Sequence, residues 1–283
     1  MSVQALHIAC FKGAAAQVRL LLKAGADVRA LAASPIKPAN FSIQGEGATC
    51  LMRAACGNRA ALIPVLVAAG ADVNFTVVED GIAETALTLA AKYNAAEAFQ
   101  ALLAAGADAS REANYVALCY GANSNNFAVV RFMLAAGAPV DYEAGASLVP
   151  LARAVMQRHT QMVHYLIEQG ADVNRAFPVC YMIEQRASVA LEQASLRSSV
   201  YSCTDNAILA RPVSAAVLQA LLEAGADVHY TNSDGVTALH CLLARPAACV
   251  EAIELLAQHG ADVNACDHLG SELWLQQAPT VAA

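Results

Sequence analysis

A five-residue phrase, Gly-Ala-Asp-Val-Asn, recurs with small changes along almost the whole chain. Its copies open at Gly25, Gly70, Gly106, Gly137, Gly170, Gly225 and Gly260. An apolar run such as Leu20-Leu21-Leu22, Leu102-Leu103 or Leu221-Leu222 precedes the glycine. A glycine closing an amphipathic run is the expected left-handed stop of a helix, because it enters that conformation without the steric penalty of a side chain. The steps between successive glycines are 45, 36, 31, 33, 55 and 35 residues. Four of the six fall near 33, and the other two carry added sequence. A period of this size means one small unit repeated, each unit too thin to bury its apolar faces alone.

A second signal stands 21 residues before the stop. It reads Gln4-Ala5-Leu6-His7-Ile8-Ala9 before Gly25, Thr49-Cys50-Leu51-Met52-Arg53-Ala54-Ala55 before Gly70, and Thr85-Ala86-Leu87-Thr88-Leu89-Ala90-Ala91 before Gly106. Thr237-Ala238-Leu239-His240 lies 23 residues before Gly260. This pair of motifs resembles the ankyrin repeat, whose first helix opens Thr-Pro-Leu-His-x-Ala. The resemblance covers roughly residues 2 to 275. It implies an all-α solenoid of stacked helix-turn-helix units with short β-hairpin tips. It also implies a non-catalytic protein-interaction module, although ankyrin repeats serve many partners and the fold alone names none.

The expected repeats are about 2–28, 49–78, 84–109, 115–141, 148–175, 204–230 and 236–265, with a terminal half-repeat at 270–277, all in a single array over 1–283. Two insertions interrupt them, 29–48 and 176–203. The first carries Pro35 and Pro38 and reads as a loop. The second contains Met182 to Leu196, good helix formers with apolar residues at 182, 183, 187, 190 and 191, and predicts an extra helix that narrows the groove of the array near Arg153, Met156 and Arg211. Gln4, Lys12, Gln17, Arg19 and Lys23 can make the polar outer face of an amino-terminal capping repeat. Trp274 is expected to pack at the other end.

Composition excludes several classes. No stretch of about 20 apolar residues is available to cross a bilayer, and the start Met-Ser-Val-Gln-Ala-Leu-His lacks the pattern of a secretory signal. Of the nine cysteines, Cys10, Cys50, Cys56, Cys119 and Cys241 fall on first helices, where cysteine acts as a small buried apolar residue; reduced core thiols in a cytoplasmic protein are the expectation. The net charge of −7 and a sequence pI near 5.4 argue against generic nucleic-acid binding. The partner is expected to be another protein, with an acidic or anionic patch favoured, bound by a monomer without cofactor.

Residues able to do chemistry are few. No Gly-x-Ser-x-Gly, His-Glu-x-x-His or phosphate-cradling glycine loop is present, so no catalytic residue is named. Cys266-Asp267-His268, with His259 nearby, has metal-ligand residue types without the paired spacing of a zinc site, so no metal is expected. His7 and His240 occupy the histidine position of the repeat motif, where the ring is expected to hydrogen-bond backbone. Hairpin tips and exposed positions of first helices are the surface that ankyrin arrays present to ligands. By register these positions hold Phe11, Lys12, Arg53, Lys92, Tyr93, Tyr120, Asn123, Arg153, Met156, Gln157, Arg211 and Arg245. Six of the twelve are Lys or Arg in a chain with only 17 such residues against 24 acidic ones. Aromatic residues and arginines are types enriched in interfaces. An alternative is a small-ligand binder or enzyme whose basic and aromatic pocket is roofed by the two insertions.

Overall fold

The computed structural model describes residues 3–32, 47–79, 82–110, 112–143, 149–174, 214–231, 235, 237–243 and 250–265. The predicted helix at 182–196, Trp274 and the terminal half-repeat, Arg211, Arg245, and Cys266-Asp267-His268 lie outside these residues. So does the interior of the first insertion, 33–46. The ends of that insertion are described: Ala32 and Ala48 are joined by backbone hydrogen bonds, Ala32 N–H to Ala48 O at 3.0 Å and Gly47 N–H to Ala32 O at 3.0 Å.

Thirteen helices and one two-stranded hairpin make up the described elements. In chain order they are α1 (Val3–Lys12), α2 (Ala15–Lys23), α3 (Cys50–Cys56), α4 (Ile63–Ala68, entered through a 3₁₀ turn Ala60–Leu62), β1 (Val77–Glu79), β2 (Ile82–Glu84), α5 (Ala86–Lys92) and α6 (Ala96–Ala104). They continue with α7 (Glu112–Asn123), α8 (Phe127–Ala135), α9 (Pro150–Met156), α10 (Thr160–Glu168), α11 (Ala215–Glu223), α12 (Ala238–Leu243) and α13 (Val250–Gln258). The chain divides into two compact units, Met1–Arg153 and Ala154–Ala283.

All seven phrase glycines close a second helix with positive φ, from 84° at Gly25 to 94° at Gly70 and Gly137. At the first, Gly25 N–H bonds Leu22 O at 3.0 Å and Ala26 N–H bonds Leu21 O at 3.0 Å. That is a Schellman closure, and it satisfies two carbonyls the helix leaves open. The other six stops repeat it, down to Gly260 on Ala257 and Ala261 on Leu256.

The third residue of the phrase then makes the turn. Asp27, Asp72, Asp108, Asp172, Asp227 and Asp262 each accept the backbone N–H two residues on, at 2.9–3.0 Å. Pro139 takes the aspartate's place in the fourth stop and still completes its turn, with Tyr142 N–H on its carbonyl at 3.0 Å.

The fifth residue joins neighbouring units. Asn74 accepts Asp108 N–H at 3.0 Å, and Asn174 accepts Asp227 N–H at 2.8 Å. Arg29 stands in the same position and donates its Nε–H to Gly70 O at 2.9 Å. The recurring phrase is therefore a stop, a turn and a stitch.

First helices open on threonine where the motif has it. The hydroxyls of Thr49, Thr85 and Thr237 accept the N–H three residues on, from Met52, Thr88 and His240, at 3.2, 3.1 and 3.3 Å. An N-cap of this kind is worth about 1 kcal/mol. In the Met1–Arg153 unit, α1, α3, α5 and α7 pack side by side in chain order. Ala54, Ala55, Ala90, Ala91 and Ala117 are buried there and let the helices approach closely, while Leu6, Leu51, Leu87 and Leu118 fill the core. Each such leucine contributes about 1.5–3 kcal/mol of burial. In the Ala154–Ala283 unit, α10 packs on α11, α11 on α13 and α12 on α13, around Met162, Val163, Leu166, Leu218, Leu221, Leu239 and Leu256.

One reading is adjusted by the structure. The fourth first helix runs from Glu112, four residues before the expected Val116, because Glu112 and Ala113 are helix formers with no breaker after them. Gly13 and Ala14 make the turn between α1 and α2, and all five polar residues of the amino-terminal face (Gln4, Lys12, Gln17, Arg19, Lys23) are exposed.

Candidate functional site

Glu84 is the residue on which the site is built, and register reasoning did not single it out. It ends β2, paired with Val77 in an antiparallel hairpin whose other partners are Val78 with Ala83 and Glu79 with Ile82. Only 4% of Glu84 is exposed. The hairpin carries it to the start of α5, where the capping box of Thr85 and Thr88 fixes the local backbone: Thr85 N–H donates to Thr88 Oγ1 at 2.7 Å, and Thr88 N–H to Thr85 Oγ1 at 3.1 Å.

Three donors converge on the Glu84 carboxylate. Lys92 Nζ lies 2.9 Å from Oε1 and Tyr120 donates its hydroxyl to the same oxygen at 2.7 Å. Thr88 donates its hydroxyl to Oε2 at 2.7 Å. Lys92 Nζ also lies 5.4 Å from the centre of the Tyr120 ring, a cation–π contact. Behind them Thr85 donates its hydroxyl to Asn114 Oδ1 at 2.6 Å, and Asn114 Nδ2 donates to Asp108 O at 2.6 Å. Asn114 is itself buried. Burial, then the neighbouring Glu84 charge, pushes the Tyr120 hydroxyl well above the ordinary tyrosine range, so it stays a donor.

Arg53 departs from its expected place. Register puts it at an exposed position of α3, yet it is only 2% exposed. The short motif period says which face a residue takes; it does not say how far the neighbouring repeat covers that face. Nε and Nη2 of Arg53 are buried without a hydrogen-bond partner, and so is Nε of Arg153. Burial draws the Arg53 guanidinium below its ordinary range, opposed by Cys56, Tyr93 and Cys50 nearby. Arg153 exerts an opposite pull on Tyr120 and Cys119, holding their acidities against the effect of burial.

Eight of the twelve register residues belong to the Met1–Arg153 unit. Lys92 and Tyr120 meet on Glu84; Tyr93 faces Arg53 electrostatically, and Arg153 faces Tyr120. Phe11 is half-buried at the end of α1, its carbonyl accepting Arg59 Nε–H at 3.0 Å, and Lys12 beside it is exposed. Asn123 is half-buried at the end of α7. Met156 (38% exposed) and Gln157 belong to the second unit.

Four thiols lie in the core as expected: Cys10, Cys50, Cys56 and Cys119 are free and buried; Cys241 lies on α12. Burial pushes Cys56 and Cys119 up to about 12. Cys10 and Cys50 are free thiols hydrogen-bonded to each other; the shared hydrogen bond raises Cys10 and lowers Cys50, which His7 also favours as thiolate. His7 Nε2 meets Ala30 O at 3.0 Å and His240 Nδ1 accepts the backbone N–H of Thr237 at 3.2 Å, backbone partners as expected; His240 Nδ1 also meets Thr237 Oγ1 of its own repeat at 2.8 Å. Among the described residues no cluster of three or more metal-ligating side chains occurs, and no helix is long and apolar enough to cross a membrane.

Comparison with known proteins fits this geometry. The family described as Ankyrin repeats (3 copies) matches residues 51–144 and 87–176, and the one described as Ankyrin repeat matches 4–32 and 234–268. No curated protein matches the chain. Among solved structures, the ankyrin repeat domain of human ASB11 aligns with a TM-score of 0.63 at 21% identity, over 91% of this chain and 98% of that one. At that identity the likeness shows the fold. The fold is all-α, and ankyrin repeats are in general protein-interaction scaffolds without catalytic activity. Stop phrase, threonine-capped first helix and family matches over two-thirds of the sequence agree: this chain belongs to the ankyrin-repeat family.

Proposed function

We propose that the chain is a non-catalytic interaction module, an adaptor or inhibitor, that receives an acidic segment of a partner protein on the first-helix face of its Met1–Arg153 unit. One observation carries this reading. Exposed Lys92, half-buried Arg153 and buried Arg53 bring three positive charges to the first helices α5, α9 and α3, where Glu84 supplies a single buried carboxylate. The surplus positive charge sits beside Tyr93 and Tyr120, in a protein whose net charge is −7. A local field opposed to the net charge favours an acidic partner and repels wrong ones. The tyrosines add rigid contact area at low entropic cost.

Site-specific photo-crosslinking tests the placement. A photoreactive amino acid replaces Tyr93 on this face or Leu20 on the second helix α2, where 66% exposure ensures access. Each full chain is irradiated with a fluorescent Glu-Gly repeat peptide and with its Gln-Gly counterpart. Adducts formed from position 93 with the Glu peptide alone support the face. Equal labelling from position 20, or equal labelling by the Gln peptide, contradicts it.

A further inference from the structure

Arg53 presents a specific unmet valence. Its two unpartnered nitrogens are Nε and Nη2, and both are buried. These two share one edge of the guanidinium plane, with their N–H bonds parallel. That side-on edge is the one that grips two oxygens of a planar oxyanion at once. A buried donor without a partner costs about 1–3 kcal/mol, so a protein keeps such a pair rarely and with reason. Glu84, the one buried carboxylate among the described residues, is saturated by Lys92, Tyr120 and Thr88. Arg53 thus has its charge uncompensated by any ion pair among the described residues.

We propose that the Nε–Nη2 edge of Arg53 is a receptor for a carboxylate, supplied by an aspartate or glutamate side chain of the bound segment. The inference rests on the acidic-segment reading above and deepens it, from a charged face to one two-point contact. Two features select a carboxylate within the class of oxyanions. The donor edge is planar and offers two parallel bonds, which a carboxylate matches with both of its oxygens. Arg53 is also 2% exposed, so its edge is reached only when the side chains that cover it give way, which a slim planar group demands least. Lys92 is exposed, and Tyr120 is half-buried with its hydroxyl turned to Glu84.

The test separates fork from face. The full chain, Arg53→Lys and Arg53→Met are melted in acetate, in inorganic phosphate and in chloride at constant ionic strength. Arg53→Lys keeps the charge and loses the planar edge; Arg53→Met removes both. Arg19→Lys, on the exposed surface of α2, is the control. Acetate at about 0.1 M is expected to raise the Tm of the wild type and of Arg19→Lys by about 2 °C or more, and to leave both Arg53 variants unmoved. An equal rise in all four proteins, or none in the wild type, overturns the proposal; a rise with phosphate and none with acetate overturns its assignment to a carboxylate. A second arm measures binding of the fluorescent Glu-Gly peptide by anisotropy. A Kd at least tenfold weaker in Arg53→Lys supports the fork. Peptide binding that ignores Arg53, with no acetate effect, removes the fork and keeps the face. An Arg53-dependent acetate effect without peptide binding keeps the fork and removes the face.

Discussion

Tyr120 donates its hydroxyl to Glu84 across 36 positions of sequence, at 2.7 Å, and Lys92 reaches the same oxygen. One carboxylate from a hairpin thus ties together residues of two successive first helices. Replacing it strands a buried hydroxyl and a partly exposed ammonium. Glu84→Ala is expected to destabilise the Met1–Arg153 unit by about 2 kcal/mol, below the range for fully buried pairs because Lys92 retains access to water. Glu84→Gln, which keeps an acceptor, should lose less. Urea unfolding of the three proteins checks this, and a neutral Glu84→Ala would show that the carboxylate organises nothing.

Arg53 gives a prediction of opposite sign. Its buried donors make no internal bond in the free protein, so removing them relieves an uncompensated cost. Arg53→Met is expected to stabilise the unliganded chain by about 1–2 kcal/mol, read as a higher urea midpoint at unchanged slope. A loss of stability would mean that the guanidinium contributes more through packing than it costs through desolvation.

Alkaline pH should unfold the protein early. Burial raises the folded-state acidities of Cys56 and Cys119 to about 12, above their ordinary value of 9.0. A group whose folded pKa is raised contributes stability that is whole below the unfolded pKa and is lost as pH rises through the folded one, because the unfolded chain releases the proton first. Stability should therefore fall between about pH 9 and pH 12. Tyr120, raised by the same cause, acts in the same direction. The Cys56→Ala/Cys119→Ala variant should show a shallower decline in denaturant midpoint over that window, and an unchanged slope would assign the loss to other groups.

The inter-helix turns offer a simpler case. Asn58, Asn94 and Asn125 take positive φ of 53°, 52° and 56° between the helices of their repeats, whereas the equivalent residue of the next pair is Arg158 at 63°. Asparagine tolerates this conformation better than arginine. Arg158→Asn is expected to add about 0.5–1 kcal/mol, measured as a rise in thermal midpoint. A fall would indicate that the arginine side chain makes up the difference elsewhere.

Local chemistry explains why so much of the fold was legible in sequence. Gly25 and its six counterparts stop helices through bonds that span five residues, and Asp27 or Asp72 closes a turn two residues away. Thr49 and Thr85 cap within one turn. Such signals are complete within the repeat that carries them. The site is different in kind. Lys92, Tyr93 and Tyr120 could be placed on a face by register, but the convergence of Lys92 and Tyr120 on Glu84 depends on a hairpin and on the next repeat. The one local trace of Glu84 was its position just before a capping box and eight residues before Lys92. The burial of Arg53 was illegible for the same reason, because a neighbouring repeat, and no residue near it in sequence, decides its exposure.

Arginine side-chain resonances give the most direct view of the face at work. A ¹H–¹⁵N spectrum of the Nε–Hε groups is recorded on the full chain while the Glu-Gly peptide is added. The expected result is a progressive downfield shift of the Arg53 Nε–Hε signal, with Arg19 and Arg158 unmoved. Shifts spread evenly over all arginines, or a bound peptide that leaves Arg53 untouched, would contradict the assignment of this face to an acidic partner.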